Sequence, residues 1–219
     1  MKTPNQREPL SRARILRTAL TIVDREGLAA ISMRRLGDAL GVEAMSLYNH
    51  VANKAAILDG IFETVLAELS DPVRVDSWQA ALRDRANALR VVLRTHPNVL
   101  PIFATRPAVS PASIEHVETT LALLHHAGFT PDDGLSALQV LVAYVVGHTL
   151  AAYSHANDEE LPHPAYDRLS ETAFPRVREA VRLLPTHDIE KEFTLGLDAM
   201  ISGLEFKLAH TTQPTRRTM

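Results

Sequence analysis

The residues best equipped for chemistry stand in one run, Ala44-Met45-Ser46-Leu47-Tyr48-Asn49-His50. At helical spacing Leu47 turns inward with Val51, four residues on, and leaves Ala44, Met45, Ser46, Tyr48, Asn49 and His50 on an outer face. That face suits recognition. Ser46 and Asn49 can exchange hydrogen bonds with base edges, and Ala44 and Met45 can meet thymine methyls in a DNA major groove. It carries little charge, so it would supply specificity more than affinity. Catalysis finds no comparable set. The chain has no glycine-rich phosphate loop, no Gly-x-Ser-x-Gly and no His-Glu-x-x-His. Its ten histidines do not group as metal ligands. His125 and His126 are adjacent, about 100° apart on a helix, and His148 and His155 share a face but lie about 10 Å apart along the axis. The acidic run at 158–160 reads as solvated charge. No enzyme activity, metal or cofactor is expected.

The outer face needs elements to hold it. Residues Ser32–Val51 read as two short helices meeting at a tight turn. Ser32 can N-cap the first, its hydroxyl accepting an otherwise unpaired backbone N–H. Leu36 and Leu40 share its inner side, and Gly37 is small enough for the second helix to cross close by. Gly41 follows where a helix end often needs a left-handed residue, and Val42 seals the turn. This is the layout of a helix-turn-helix, whose second helix enters the major groove. An ordinary helical hairpin is the competing explanation, and the flanks argue against it. Ile15, Leu16, Ala19, Ile22 and Val23 form a helical stripe ending at Gly27, and Asn53 can cap a helix bearing Ile57, Leu58, Ile61, Phe62, Val65 and Leu66.

Residues 11–60 resemble the DNA-binding domain of the TetR (tetracycline-repressor) family of transcriptional regulators. The resemblance rests on Gly41-Val42, Leu47-Tyr48-Asn49-His50-Val51, Asn53-Lys54 and Ile57-Leu58-Asp59. It implies that Tyr48, Lys54 and Arg34 contact the DNA backbone, Lys54 at a helix start whose dipole also favours phosphate. It further implies a homodimer bound to an inverted-repeat operator on double-stranded DNA. The fold expected is all-α. A flexible arm (1–10) leads into a three-helix head (11–55), a connecting helix joins it to a larger ligand-binding and dimerisation body (56–210), and a disordered tail (211–219) follows.

Composition agrees. A chain of 219 residues with 46% hydrophobic content can bury a substantial core, and it has no cysteine for a disulfide framework. The net charge of −3 is unevenly spread: residues 1–60 hold nine Lys/Arg against six Asp/Glu, and the remainder fourteen against twenty. A basic head on an acidic body places the attraction for phosphate at one end. The excess is small, so tight binding calls for two heads at once. Lys2, Arg7, Arg12, Arg14 and Arg17 could graze the DNA backbone or serve as solvated charge. The first residues lack the apolar core of a signal peptide, and a cytoplasmic protein is expected.

In the body, Asp76 and Gln79 are spaced for a capping box ahead of Trp78, and Asp71-Pro72 should break the connecting helix. Ser110-Pro111 and Thr130-Pro131 are helix starts with proline in the first turn. Between Asp133 and Asp158 there is no charged residue. A membrane span needs about 20 apolar residues, but Ser136, Gln139, His148 and Thr149 interrupt this one and both flanks are acidic, so no membrane is expected. Ala143, Gly147 and Ala151 form a ridge of small residues, and Gly196, Ala199 and Gly203 have a similar role on the last helix, from about residue 188 to 209, with Met200 among them at the expected interface. Two such helices from each of two chains would make a four-helix dimer interface. Residues 157–175 read as a loop.

The body also resembles the tetracycline-repressor type of C-terminal domain, at Trp78-Gln79, Leu82-Arg83, Thr105-Arg106-Pro107, Ala127-Gly128-Phe129, Ala137-Leu138, Gly147-His148, Gly196-Leu197 and Gly203-Leu204-Glu205. Members that bind tetracycline hold it as a magnesium chelate. Aligned on the same landmarks, their polar positions fall here on Ser70, Arg85 and Ile102. Ile102 has no lone pair for a metal, and Arg85 would set a positive charge beside one. An apolar pocket is still expected from Trp78, Leu82, Leu89, Phe103, Leu138, Val142 and Val145, with Arg85 or Arg106 orienting a carbonyl or acidic group or forming a structural ion pair. The ligand implied is a small, largely apolar organic effector that releases a repressor from its operator. A second class remains open, a helix-turn-helix protein whose body only binds a partner protein. A closed apolar cavity in the body separates the two.

Overall fold

The computed structural model describes residues 8–69, 77–106, 108–153 and 166–211. Among these the chain forms ten α-helices and no strand. The head comprises α1 (Arg12–Glu26), α2 (Met33–Leu40) and α3 (Ala44–Leu47), and α4 (Lys54–Leu66) follows directly. Then come α5 (Trp78–Thr95), α6 (Leu100–Thr105), α7 (Pro111–His126), α8 (Pro131–Tyr153), α9 (Pro175–Val181) and α10 (Ile189–Thr211). The chain divides into two compact units, Met1–Leu150 and Ala151–Met219.

Local chemistry sets the helix ends. Ser11, Ser32, Asn53, Ser77 and Ser110 each place a side-chain oxygen on a backbone N–H three residues on. The cap of α5 is therefore Ser77, one residue later than the spacing of Asp76 and Gln79 predicts, because the serine hydroxyl reaches Ala80 N at 3.2 Å. Asp76 lies outside the described residues, as do Asp71 and Pro72. Ser110 and Ser113 bond reciprocally, each hydroxyl accepting the other's backbone N–H at 3.0–3.1 Å. Thr130 Oγ1 accepts from Asp133 N at 3.2 Å and opens α8. The expected loop at 157–175 is described only from residue 166, where a 3-10 turn spans Tyr166–Arg168. Pro175 does not end that loop. It stands in the first turn of α9, a helix the sequence reading did not anticipate. The first seven residues, the acidic run and residues 212–219 lie outside the description.

In the first unit α1 and α4 cross so closely that a methyl group on Gly60 would overlap Leu16. Ile15, Ala19 and Val23 of α1, Leu36 of α2, Leu47 of α3 and Ile57, Ile61 and Val65 of α4 are fully buried. One helix, Pro131–Ala152, is long and apolar enough to cross a membrane by length and composition. In the second unit Phe193, Leu197 and Ile201 recur every four residues as the buried side of α10, opposite exposed Leu195 and Phe206.

Candidate DNA interface and ligand cavity

The turn between α2 and α3 closes by backbone bonding. Gly41 takes φ 70° and ψ 37°, a left-handed conformation that favours glycine. Its N–H bonds Asp38 O at 3.4 Å, and the Val42 N–H bonds Gly37 O at 3.0 Å. This is the Schellman arrangement, which satisfies the last carbonyls of α2. Gly37 is a contact point: a Cβ there would stand 2.8 Å from Val42 O and 3.1 Å from Ala44 N. Gly37→Ala should therefore push α3 off α2 and destabilise the head by about 1–3 kcal/mol, measurable as a lower unfolding midpoint. An unchanged midpoint would show the crossing to be looser than described.

Leu47 and Val51 anchor α3 in the core. Met45, Tyr48, Asn49 and His50 are exposed, and Ala44 and Ser46 are half-buried at the start of the same surface. The helix is short, with Tyr48–His50 continuing as a turn in which His50 N bonds Leu47 O at 2.9 Å. Arg34 on α2 and Lys54, the first residue of α4, are exposed beside it. All eight residues expected at DNA thus lie on α2, on α3 and the turn that continues it, and at the start of α4. Three other head arginines have partners within the chain. Arg12 pairs with Glu63 at 3.2 Å, Arg17 with Glu8 at 2.8 Å, and Arg14 donates to the carbonyl of Glu8 at 2.5 Å. Lys2 and Arg7 lie outside the described residues.

The first unit also holds a partly open pocket of about 180 Å³ with mainly apolar walls. Arg85 and Leu89 of α5, Phe103 of α6, Arg106 just after it, and Leu138 and Val142 of α8 line it. Four residues expected there do not. Leu82, Ile102 and Val145 are fully buried in the surrounding core, and Trp78 instead packs edge-on against Phe129 at 5.1 Å. The cavity begins a turn further along α5, and Ile102 points about 100° away from its neighbour Phe103. The sequence reading missed Phe62 and Leu66 near the end of α4, Leu69 just after it, and Ser113, His116, Val117 and Thr120 on α7. The buried hydroxyls of Ser113 and Thr120, at three- and four-residue spacing from His116, were the available signal.

Polar groups occupy one side of the wall. An Arg85 guanidinium nitrogen, Nη2, donates to His116 O at 2.6 Å, and Thr120 Oγ1 donates to the same carbonyl at 3.0 Å. Arg106 is drawn to α4, where it forms an ion pair with Asp59 and donates to Ala55 O at 3.4 Å. Among the described residues no three His, Asp or Glu side chains converge as a metal site, and Ser70 is not described. A magnesium chelate held as in the tetracycline-binding members finds hydrocarbon at Ile102 and a cation at Arg85, so these residues do not fit it.

Residues 72–208 match the family described as the tetracyclin repressor-like C-terminal domain. The chain is 31% identical over 217 residues to the class D tetracycline repressor protein of Escherichia coli, covering 93% of each. The apo structure of ActR from Streptomyces coelicolor superposes with a TM-score of 0.81 at 30% identity, covering 94% of this chain and 99% of that one. ActR in complex with actinorhodin gives 0.79 at 29% identity, covering 94% and 100%.

Proposed function

This chain belongs to the TetR family of ligand-responsive, DNA-binding transcriptional repressors, and we propose that it acts in the cytoplasm as a homodimer. In this reading two heads clasp an inverted-repeat operator, and a small, largely apolar effector bound without metal in the α5–α8 cavity releases it. The observation that carries the proposal is that α4 belongs to both sites. Lys54 at its start flanks the DNA face, while Phe62 and Leu66 near its end form part of the cavity wall. Phe62 stacks at a tilt on Phe103 of α6, ring centroids 4.6 Å apart, and Arg106 ties the end of α6 to Asp59. A ligand displacing Phe103 therefore pulls on α4 and turns the head. It shifts the equilibrium only by its differential affinity for the two conformers.

The pocket is partly open rather than closed, and its apolar walls support ligand response over a body that serves only as a scaffold. It is smaller than the roughly 300–1,000 Å³ of typical drug-sized sites, so a flat, narrow molecule fits first and a larger one must move wall side chains. Arg85 lies where an acidic or carbonyl oxygen would point. The dimer face proposed is Ala143, Gly147 and Ala151 of α8 with Gly196, Met200 and Gly203 of α10.

The test is a thermal-shift screen of aromatic acids and polycyclic ketones against the protein. Compounds that raise its melting temperature should release operator DNA, and Leu138→Trp, which fills the cavity, should abolish both effects. Binders that leave the operator complex intact would contradict the proposal. At the DNA face, Lys54→Ala should weaken binding to all sequences and lower the salt slope by about one unit. A changed operator preference with an unchanged slope would reassign Lys54 to base reading.

A further inference from the structure

The end of α5 carries a second connection to the head, distinct from the α6–α4 link. His96 caps α5 and is only 8% exposed. Its Nδ1 lies 2.9 and 3.0 Å from the two carboxylate oxygens of Asp24, in the last turn of α1. Its Nε2 lies 3.1 Å from Glu68 Oε2, in the turn after α4. Two residues on, Asn98 Nδ2 donates to the carbonyls of Val23 and Asp24, both at 3.1 Å. One turn of chain thus fastens the C-terminal end of α1 and the end of α4 together.

The partners dictate the ring's protonation. An ionised carboxylate only accepts hydrogen bonds, and a neutral imidazole has one N–H to give. With a carboxylate on each nitrogen, both bonds form only to the imidazolium. The site suits that charge for a second reason, since α1 ends here and its last carbonyls carry partial negative charge. The charged groups facing the ring are Asp24 and Arg17 from α1 and Glu68 from the turn after α4. Arg17 is paired with Glu8, α6 has no ionisable side chain, and Arg94 on α5 is exposed.

We propose that His96, as imidazolium, is a positioning residue that locks the DNA-binding head to the body, so that operator affinity declines when the ring loses its proton. Burial pushes the His96 pKa down, but the hydrogen bonds to Asp24 and Glu68 outweigh it and leave it raised. A raised value means that the lock holds fully below the ring's ordinary pKa of about 6.5. It is lost as pH rises through the elevated value. A head held in place gives up less freedom when two heads must match two half-sites.

Two measurements on the full chain test this. Operator affinity is compared between the native protein and His96→Gln at about pH 6 and about pH 9, on either side of the ordinary histidine range. His50 is present in both proteins, so its own titration cancels in the ratio. The native protein should bind about fivefold tighter at the lower pH, a typical coupling, and the ratio should fall to about one at the higher. Nitrogen-15 NMR of the histidine rings should show both His96 nitrogens protonated at the lower pH, a readout that needs no variant. A ratio that does not change with pH overturns the proposal, as does a His96 ring carrying one proton at the lower pH.

Discussion

Gly147→Leu should leave the single chain folded and cut operator binding by about 10²–10⁴-fold, the range that loss of a second linked contact removes. Among the described residues of one chain a Cβ at Gly147 meets nothing within 4 Å, and the same holds at Gly203 on α10. Packing among the described residues therefore explains neither glycine. Ala143, Gly147 and Ala151 are exposed along one side of α8, beside Val140 at 54% and Leu150 at 40% exposure. α10 exposes Leu195 at 72% and Phe206 at 66%. Apolar surface of this extent is what association covers, and small residues let two helices approach closely. Leucine on such a ridge costs about 1–3 kcal/mol per site through overpacking, and a symmetric interface meets it twice. Sedimentation should show a monomer with native helix content. A variant that stays dimeric and binds operator normally would move the interface elsewhere.

Magnesium–tetracycline should leave the operator complex intact at concentrations that saturate a tetracycline-binding repressor. The expectation sets cavity chemistry against kinship, since the class D relative is named for tetracycline. Ile102 is fully buried hydrocarbon outside the cavity wall. Arg85 brings a positive charge to the wall, where a bound cation would be repelled, and its guanidinium is bonded to His116 O. Operator-bound protein would be titrated with tetracycline, then with magnesium, then with EDTA. Release that needs magnesium and reverses with EDTA would show that donors other than Ile102 and Arg85 hold a chelate.

How much of this was legible in the sequence depended on the range of the interaction. Caps and turns were readable because they are local: Ser32, Asn53, Ser110 and Gly41 act within five residues of themselves. The surface proposed to meet DNA could be placed for the same reason, since its residues are close in sequence and lie on α2, α3 with the turn after it, and the start of α4. The cavity was only half readable. Leu89, Phe103, Leu138 and Val142 announce an apolar wall, but whether Leu82 or Val145 shares it depends on which neighbour fills the space, and no periodicity records that. The α4 contribution was hidden because Phe62 and Leu66 serve as core and wall on one helix. The role of Gly60 was hidden as well, because Leu16, which lies against it, stands on another helix. The His96 junction was the least visible, because its partners stand 72 and 28 residues away. α9 went unseen because Pro175 reads equally as a loop residue and as a helix start.

The central claim is that two identical heads read one operator through the α3 surface. Selection of bound duplexes from a random-sequence library tests it most directly, with the stoichiometry of the selected complex determined by native mass spectrometry. The account predicts an enriched inverted repeat with half-sites about one or more helical turns apart, two chains per duplex, and an altered half-site preference for Asn49→Ala. An absence of enriched sequence, or a single half-site bound by one chain, would contradict it.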